Sequence, residues 1–214
     1  MAQVSHAVTS VGFIGSGRLA ERIARDLVKQ IAPRKKFCYR KQRLVATLLA
    51  SDPSQERRRV FDTLGFTTTE TNQRILSDCD VVFLGTSSPD ALRVSAGAIE
   101  RLGAHTQLQQ TLFVSLMGDL PADQIERLLC PGARVIRMMP HNYLEKLGLP
   151  KGILPPSSWA TVRGAHASVE DVEQLMALTG ISTHVEVHES ARDRESEPPV
   201  NSQEGVIQRI VKHP

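Results

Sequence analysis

Residues 11–27, VGFIGSGRLAERIARDL, join an apolar run to an amphipathic pattern through Gly15-Ser16-Gly17, with nothing bulky before Arg18. An apolar run that passes without a polar break into a 3.6-residue pattern reads as a strand entering a helix. The spacing Gly15-x-Gly17-x-x-Ala20 gives each small residue a task. Gly15 permits the tight turn out of the strand, Gly17 lets backbone approach a pyrophosphate, and Ala20 lets the helix pack against the strand. The new helix then directs its unpaired amides and positive dipole end at the phosphates. This junction predicts a dinucleotide site at the head of an α/β domain.

Beyond the turn, short apolar runs alternate with amphipathic ones. Strands are expected at residues 7–14, 44–50, 81–85, 112–116, 134–138, 159–163 and 183–187. Helices are expected to begin near Gly17, Ser54, Glu70, Pro89, Pro121 and Ser168. Ser54 precedes Gln55-Glu56, and Ser168 precedes Glu170-Asp171; each pairs a capping hydroxyl with acids that suit a helix N-terminus. Gly65 and Gly180 stand where helices should stop. The alternation predicts the α/β class: a doubly wound, mostly parallel sheet with helices on both faces. It spans a single domain over residues 8–188, with a polar tail at 189–214 and no internal repeat.

Two stretches interrupt the rhythm. Residues 140–158, PHNYLEKLGLPKGILPPSS, carry four prolines and read as a loop over one edge of the sheet. Residues 189–204, ESARDRESEPPVNSQE, are charged, with Val200 as their one large apolar residue, the pattern of a solvated tail. The closing GVIQRIVKHP reads as a short terminal helix.

Composition narrows the partners. The 214 residues, 41% of them hydrophobic, suffice for one sizeable core. A net charge of +3 suits a phosphate-bearing ligand and is too weak to argue for nucleic acid. An aromatic content of 4% argues against a base-stacking platform. Cys38, Cys79 and Cys130 are odd in number and widely spaced, which fits reduced thiols better than a disulfide framework or a zinc site. The opening MAQVSHAVTS has neither a basic leader nor an apolar core. No apolar run approaches the roughly 20 residues of a membrane span, so a cytoplasmic protein without a membrane partner is expected.

The adenosine end of a dinucleotide should meet the tip of the second strand, at Ser51-Asp52-Pro53. An acid there takes the ribose hydroxyls of NAD and repels a 2′-phosphate. Arg57, Arg58 and Arg59 follow, and Ser51 can donate to a phosphate; these favour NADP and leave NAD open. Such a charge run at a helix start is more often a solvated face. A second basic cluster, Arg34, Lys35, Lys36, Arg40, Lys41 and Arg43, lengthens the connection to the second strand and reads as an exposed insertion.

The segments Gly12-Phe13-Ile14-Gly15-Ser16-Gly17-Arg18-Leu19-Ala20, Ser51-Asp52-Pro53, Thr69-Glu70-Thr71-Asn72, Asp80-Val81-Val82-Phe83-Leu84, Val114-Ser115-Leu116 and Arg137-Met138-Met139-Pro140 fall in a familiar order. Over roughly residues 8–188 the chain resembles the pyrroline-5-carboxylate reductases. That resemblance implies a Rossmann domain binding NADPH or NADH, and reduction of the C=N bond of pyrroline-5-carboxylate to give proline. By position, Ile14, Gly15, Ser16, Gly17, Arg18 and Leu19 would hold the pyrophosphate. Ser51 and Pro53 would meet the adenosine ribose, with Asn72 on the adenine side. Gly85, Thr86, Ser87 and Ser88, with Ser115, Leu116 and Met117, would border the nicotinamide.

The chain also departs from that family. Gly85-Thr86-Ser87-Ser88-Pro89 stands where the family has Val-Lys-Pro, and Met139-Pro140-His141-Asn142-Tyr143 where it has Met-Pro-Asn-Thr-Pro. Met117-Gly118-Asp119 replaces a small Ala-Ala-Gly. Ala191-Arg192-Asp193-Arg194 and the polar tail occupy the place of the family's helical, dimer-forming domain. The oligomeric state therefore stays open, and weak or absent turnover is expected of the isolated chain unless a partner supplies the missing wall. Two readings follow: an NADP-dependent reductase acting on a small imine, or a relative in the same deazaflavin–NADP oxidoreductase superfamily; and, against both, an inactive NADP(H)-binding module acting through a partner.

No catalytic residue emerges. His141, at a strand's C-terminal edge, is the most tempting acid, yet nothing places a substrate beside it. His6, His105, His166, His184, His188 and His213 show no metal spacing. Ser87-Ser88-Pro89-Asp90 reads as a helix cap with proline in the first turn, not as a nucleophile elbow.

Overall fold

A computed structural model describes residues 10–31, 47–86, 88–101, 105–118, 120–140, 159–181, 183–187 and 209–212. The elements run β1 (Ser10–Ile14), α1 (Arg18–Ile31), β2 (Thr47–Ser51), α2 (Gln55–Thr63), β3 (Thr67–Thr69), α3 (Gln73–Asp78), β4 (Val81–Leu84), α4 (Pro89–Arg101), α5 (His105–Gln110) and β5 (Leu112–Ser115). They continue with α6 (Ala122–Leu129), β6 (Arg134–Pro140), β7 (Trp159–Arg163), α7 (Val169–Thr179), β8 (Thr183–Val187) and β9 (Arg209–Lys212).

The nine strands of the described residues join one sheet in the order β3-β2-β1-β4-β5-β6-β7-β8-β9. The first six are parallel, and their order is that of a doubly wound dinucleotide-binding fold. β7 turns antiparallel to β6, β8 follows β7 in parallel, and β9 closes the edge antiparallel to β8. This is a Rossmann-type α/β architecture.

The central strands β1, β4 and β5 are buried and almost wholly apolar because helices cover both faces. Side chains alternate between two cores. Val11, Phe13, Val81, Phe83, Leu112, Val114, Ile136 and Met138 face α1, α2 and α7. Ile14, Val82, Leu84, Phe113 and Val135 face α3, α4, α5 and α6. Phe13 is the hub of the first core: its ring stacks on Phe83 at 4.6 Å and meets Phe61 and Phe66 edge-on, each at 5.5 Å. β1 is thereby anchored immediately below the glycine turn.

The helix boundaries follow the cap chemistry. Ser54 accepts from the Arg57 amide, and Ser168 and Asp171 form a reciprocal capping box. Gly65 (φ +90°) ends the α2 turn and Gly180 (φ +71°) ends α7 in left-handed conformations, which a side chain would resist. Ser88 caps α4, accepting from the Ala91 amide at 3.4 Å, with Pro89 in the first turn as expected.

Three expectations need correction. Residues 67–69 form a short strand, and the following helix starts at Gln73 instead of near Glu70; three β-branched threonines beside β2 favour pairing over helix. Residues 89–110 contain two helices, α4 and α5. The end of the chain holds a strand where a helix was expected: Ile210 and Val211 pair with Val185 and His184 of β8, an edge that would otherwise be open. Part of the segment read as tail therefore belongs to the sheet. The 34–43 cluster, Cys38, Ser87, His141 and most of the 140–158 and 189–204 stretches lie outside the described residues. No described helix is long and apolar enough to cross a membrane.

Candidate coenzyme site

β2, β1, β4 and β5 end side by side at one rim of the sheet. Main-chain bonds continue the ladder past the strands. The Gly15 amide donates to the Ser51 carbonyl (2.8 Å), Gly85 to Ile14 (2.8 Å) and Leu116 to Leu84 (2.9 Å). The rim therefore brings together Ile14, Ser51, Gly85 and Leu116, which are far apart in sequence. β1 and β4 flank the point where the chain's direction of winding reverses, the position where open α/β sheets bind ligands.

Gly15 turns there with φ +84°. A Cβ on it would lie 2.8 Å from the Gly85 carbonyl carbon and 2.8 Å from the Thr86 nitrogen. A Cβ on Gly85 would in turn sit 3.0 Å from the Gly15 oxygen and 3.3 Å from the Ala20 methyl. The three small residues thus close on one another, and Ala20 packs on the end of β4. Gly17 differs: it is exposed, and nothing lies within 4 Å of where its side chain would be. Space is left free above it. Glu21 is the first amide of α1 to bond back, to the Gly17 carbonyl at 2.9 Å. The amides of Arg18, Leu19 and Ala20 therefore open toward the turn, as at any helix start. Arg18 is exposed and Leu19 half-buried. A bare turn, open amides and a positive dipole end fit a diphosphate.

At the tip of β2 the polar side chains are held by the protein itself. Ser51 is fully buried, and its hydroxyl donates to Asn72 Oδ1 at 2.8 Å. Asn72, at the start of α3, makes no side-chain cap bond. Asp52 turns toward the glycine loop: Oδ2 accepts from both the amide and the hydroxyl of Ser16 (2.8 Å each), and Oδ1 accepts from the Ser54 amide (2.8 Å). Partial burial is the largest influence on the Asp52 carboxyl and opposes its charge. The Ser16 and Ser54 amides, the Ser16 hydroxyl and Arg57 together outweigh it, holding the carboxyl below its ordinary value.

Two arginines read from sequence as a solvated face are bound into this tip. Arg57 Nε donates to the Ser16 carbonyl at 2.6 Å, and its Nη2 pairs with Glu21 at 3.0 Å. Arg58 donates to the carbonyls of Asp52 (2.7 Å) and Pro53 (3.0 Å) and to Glu70 (2.6 Å). Arg59 is exposed as expected. The signal was available: Arg57 and Arg58 lie one helical turn after the Ser54 cap and so face back toward the strand tip.

At the opposite end of the rim, Thr86 is half-buried and its hydroxyl oxygen accepts from the Ser88 amide at 3.0 Å. Ser115 is buried, accepting from the Met117 amide at 3.2 Å. Arg137, buried on β6, donates to the Gly118 carbonyl at 3.0 Å and steadies the loop after β5. Nothing in the sequence pattern singled Arg137 out for that contact.

Comparisons with known proteins agree with this geometry. Residues 10–118 match the family model described as NADP oxidoreductase coenzyme F420-dependent. Pyrroline-5-carboxylate reductase 3 of Mus musculus is 30% identical over 184 residues, covering 86% of this chain and 59% of that protein. The chain thus spans less than two thirds of the length of this relative. Among solved structures, a pyrroline-5-carboxylate reductase from Coxiella burnetii superposes with a TM-score of 0.58 at 17% identity, over 88% of this chain and 61% of that one. The Plasmodium falciparum pyrroline carboxylate reductase, solved with NADP bound, gives 0.53 at 14% identity, over 83% and 57% of the two chains. These structures share the fold. With its glycine turn, rim and switch point all inside the matched segment, the chain belongs to the family of NADP oxidoreductases described as coenzyme F420-dependent.

Proposed function

We propose that this chain binds NADP(H) across the rim of β2, β1, β4 and β5 and serves as a reductase of the pyrroline-5-carboxylate type, in proline biosynthesis. The observation that carries the reading is the interlocked Gly15, Gly85 and Ala20 beside an unobstructed Gly17. That arrangement fixes the backbone tightly on the protein side and leaves it bare on the solvent side. Similarity to the mouse enzyme over 86% of the chain supports the substrate.

In this reading the Gly15–Gly17 turn and the amides of Arg18, Leu19 and Ala20 hold the pyrophosphate. The tip of β2, with Asp52, Pro53 and Asn72, borders the adenosine end. Gly85, Thr86, Ser87, Ser88, Ser115, Leu116 and Met117 border the nicotinamide. Bound NADPH supplies a hydride to the imine carbon; the nitrogen takes a proton, and the C=N bond becomes an amine. Thr86 Oγ1 accepts from the Ser88 amide and, among the described residues, donates to no acceptor, which suits it to donate a hydrogen bond to a ring nitrogen or to a water beside it.

The test is direct. Titration with NADPH and NADH is followed by incubation with pyrroline-5-carboxylate and assay of both NADPH loss and proline gain. One proline should form per NADPH oxidised, with NADPH bound more tightly than NADH. Failure of both coenzymes to bind contradicts the site; binding without proline formation contradicts the reductase reading for this chain and favours a coenzyme-binding module that acts through a partner.

A further inference from the structure

The acid at the tip of β2 normally grips a ribose, but here both of its oxygens are engaged by the protein. Asp52 Oδ2 holds the Ser16 amide and hydroxyl, and Oδ1 holds the Ser54 amide, all at 2.8 Å. The carbonyl of the same Ser16 receives Arg57 Nε at 2.6 Å, and Arg57 is braced by Glu21 of α1 at 3.0 Å. Ser16, 1% exposed, is therefore clamped on its amide, its hydroxyl and its carbonyl. It lies between Gly15, whose backbone closes on Gly85, and Gly17, whose backbone is bare. A glycine-flanked residue has wide conformational freedom unless something removes it. The clamp removes it from both sides of the peptide.

Resting on the coenzyme reading above, we propose that Asp52 is a positioning residue: it holds Ser16, and through it the Gly15–Gly17 turn, in the form that admits a diphosphate, in place of gripping the adenosine ribose. It follows that Asp52 sets affinity for both coenzymes alike and does not discriminate between them. Any preference for the 2′-phosphate arises elsewhere at this end of the rim.

The chemistry of Asp52→Asn suits the test. An amide nitrogen cannot accept, so whichever way the new carboxamide is turned it loses either the Ser54 amide bond or the Ser16 amide bond, the Ser16 hydroxyl in the second case having to turn from donor to acceptor. Kd is measured for NADPH, NADH and ADP with the wild type, Asp52→Asn, Ser16→Ala and the double variant, alongside amide hydrogen exchange at Ser16 without coenzyme. ADP carries the pyrophosphate but neither the nicotinamide nor the 2′-phosphate. Asp52→Asn should weaken all three by a common factor of about tenfold, leaving the NADPH/NADH ratio within roughly twofold, and should speed exchange at Ser16. The double variant should lose less than the product of the single losses, because the two residues act as one unit. Loss confined to NADH, a gain for NADPH, or unchanged affinities with unchanged exchange would each overturn the proposal. If the wild type binds none of the three, the coenzyme reading fails first and this inference falls with it. If Asp52→Asn does not fold, Ser16→Ala, which removes one donor of three, carries the same comparison of ratio and exchange.

Discussion

Gly15 and Gly85 touch backbone to backbone where β1 and β4 part company: each would drive a Cβ to 3.0 Å or less of the other's main chain. Their contact seals the protein side of the turn, while Gly17 remains open on the solvent side. The two glycines of the motif thus have unequal tasks, and substitutions separate them.

Gly15→Ala should damage the fold itself. Its φ of +84° disfavours any side chain, at a cost of about 1–3 kcal/mol, and the Cβ would meet the Gly85 carbonyl carbon at 2.8 Å. Urea denaturation should show a loss at least at the upper end of that range, with coenzyme binding lost as well.

Gly17→Asp should leave the fold nearly intact, because nothing stands within 4 Å of the new Cβ; a change within about 0.5 kcal/mol is expected of such a surface site. Affinity for NADPH should nevertheless fall by at least about tenfold, since the carboxylate occupies and repels the diphosphate position. An unaltered Kd in fluorescence titration would show that the phosphates bind elsewhere.

Phe13→Ala should be among the most destabilising core changes. Phe13 is fully buried and contacts the rings of Phe61, Phe66 and Phe83, so truncation should cost about 3–5 kcal/mol. The measured quantity is the urea midpoint at constant slope.

Acid should weaken the fold partly through Asp52. Its carboxyl is held below the ordinary value, so ionised Asp52 stabilises the folded chain at neutral pH. That contribution is lost as pH falls through the ordinary carboxylate range and on toward the lowered value. Stability of the wild type should decline more steeply across this window than that of Asp52→Asn. A residual slope should remain from Glu21, whose carboxyl is likewise lowered, first by its hydrogen bond to Arg25 and then by that to Arg57.

Cys79 should resist alkylation in the native protein. It is fully buried on the α3 side of the sheet, and burial, with Asp78 and Asp80 adding to it, pushes its thiol up to about 12. Mass spectrometry after iodoacetamide treatment should find Cys79 labelled only on unfolding.

Local pattern alone was enough to announce the glycine turn, the strands from Val81, Leu112 and Trp159, and the caps at Ser54, Ser88 and Ser168, because each is specified by neighbours within about one helical turn. The residues of the rim were also legible, since strand ends in a parallel sheet must gather at one edge. What escaped was direction. Asp52 and Ser51 stand at the expected tip, yet one turns to Ser16 and the other to Asn72, residues 36 and 21 positions away. Arg57 looked like solvated charge until the fold brought Ser16 and Glu21 within its reach. β9 looked helical until β8 offered it an edge.

The sequence by itself determined the alternation of strands and helices and the bare backbone at Gly15 and Gly17, because steric freedom and hydrophobic period are properties of short segments. Only the tertiary structure decided which partners the polar side chains take, because a hydrogen bond is made to whatever donor or acceptor lies within about 3 Å. That neighbourhood is set by the packing of the whole sheet.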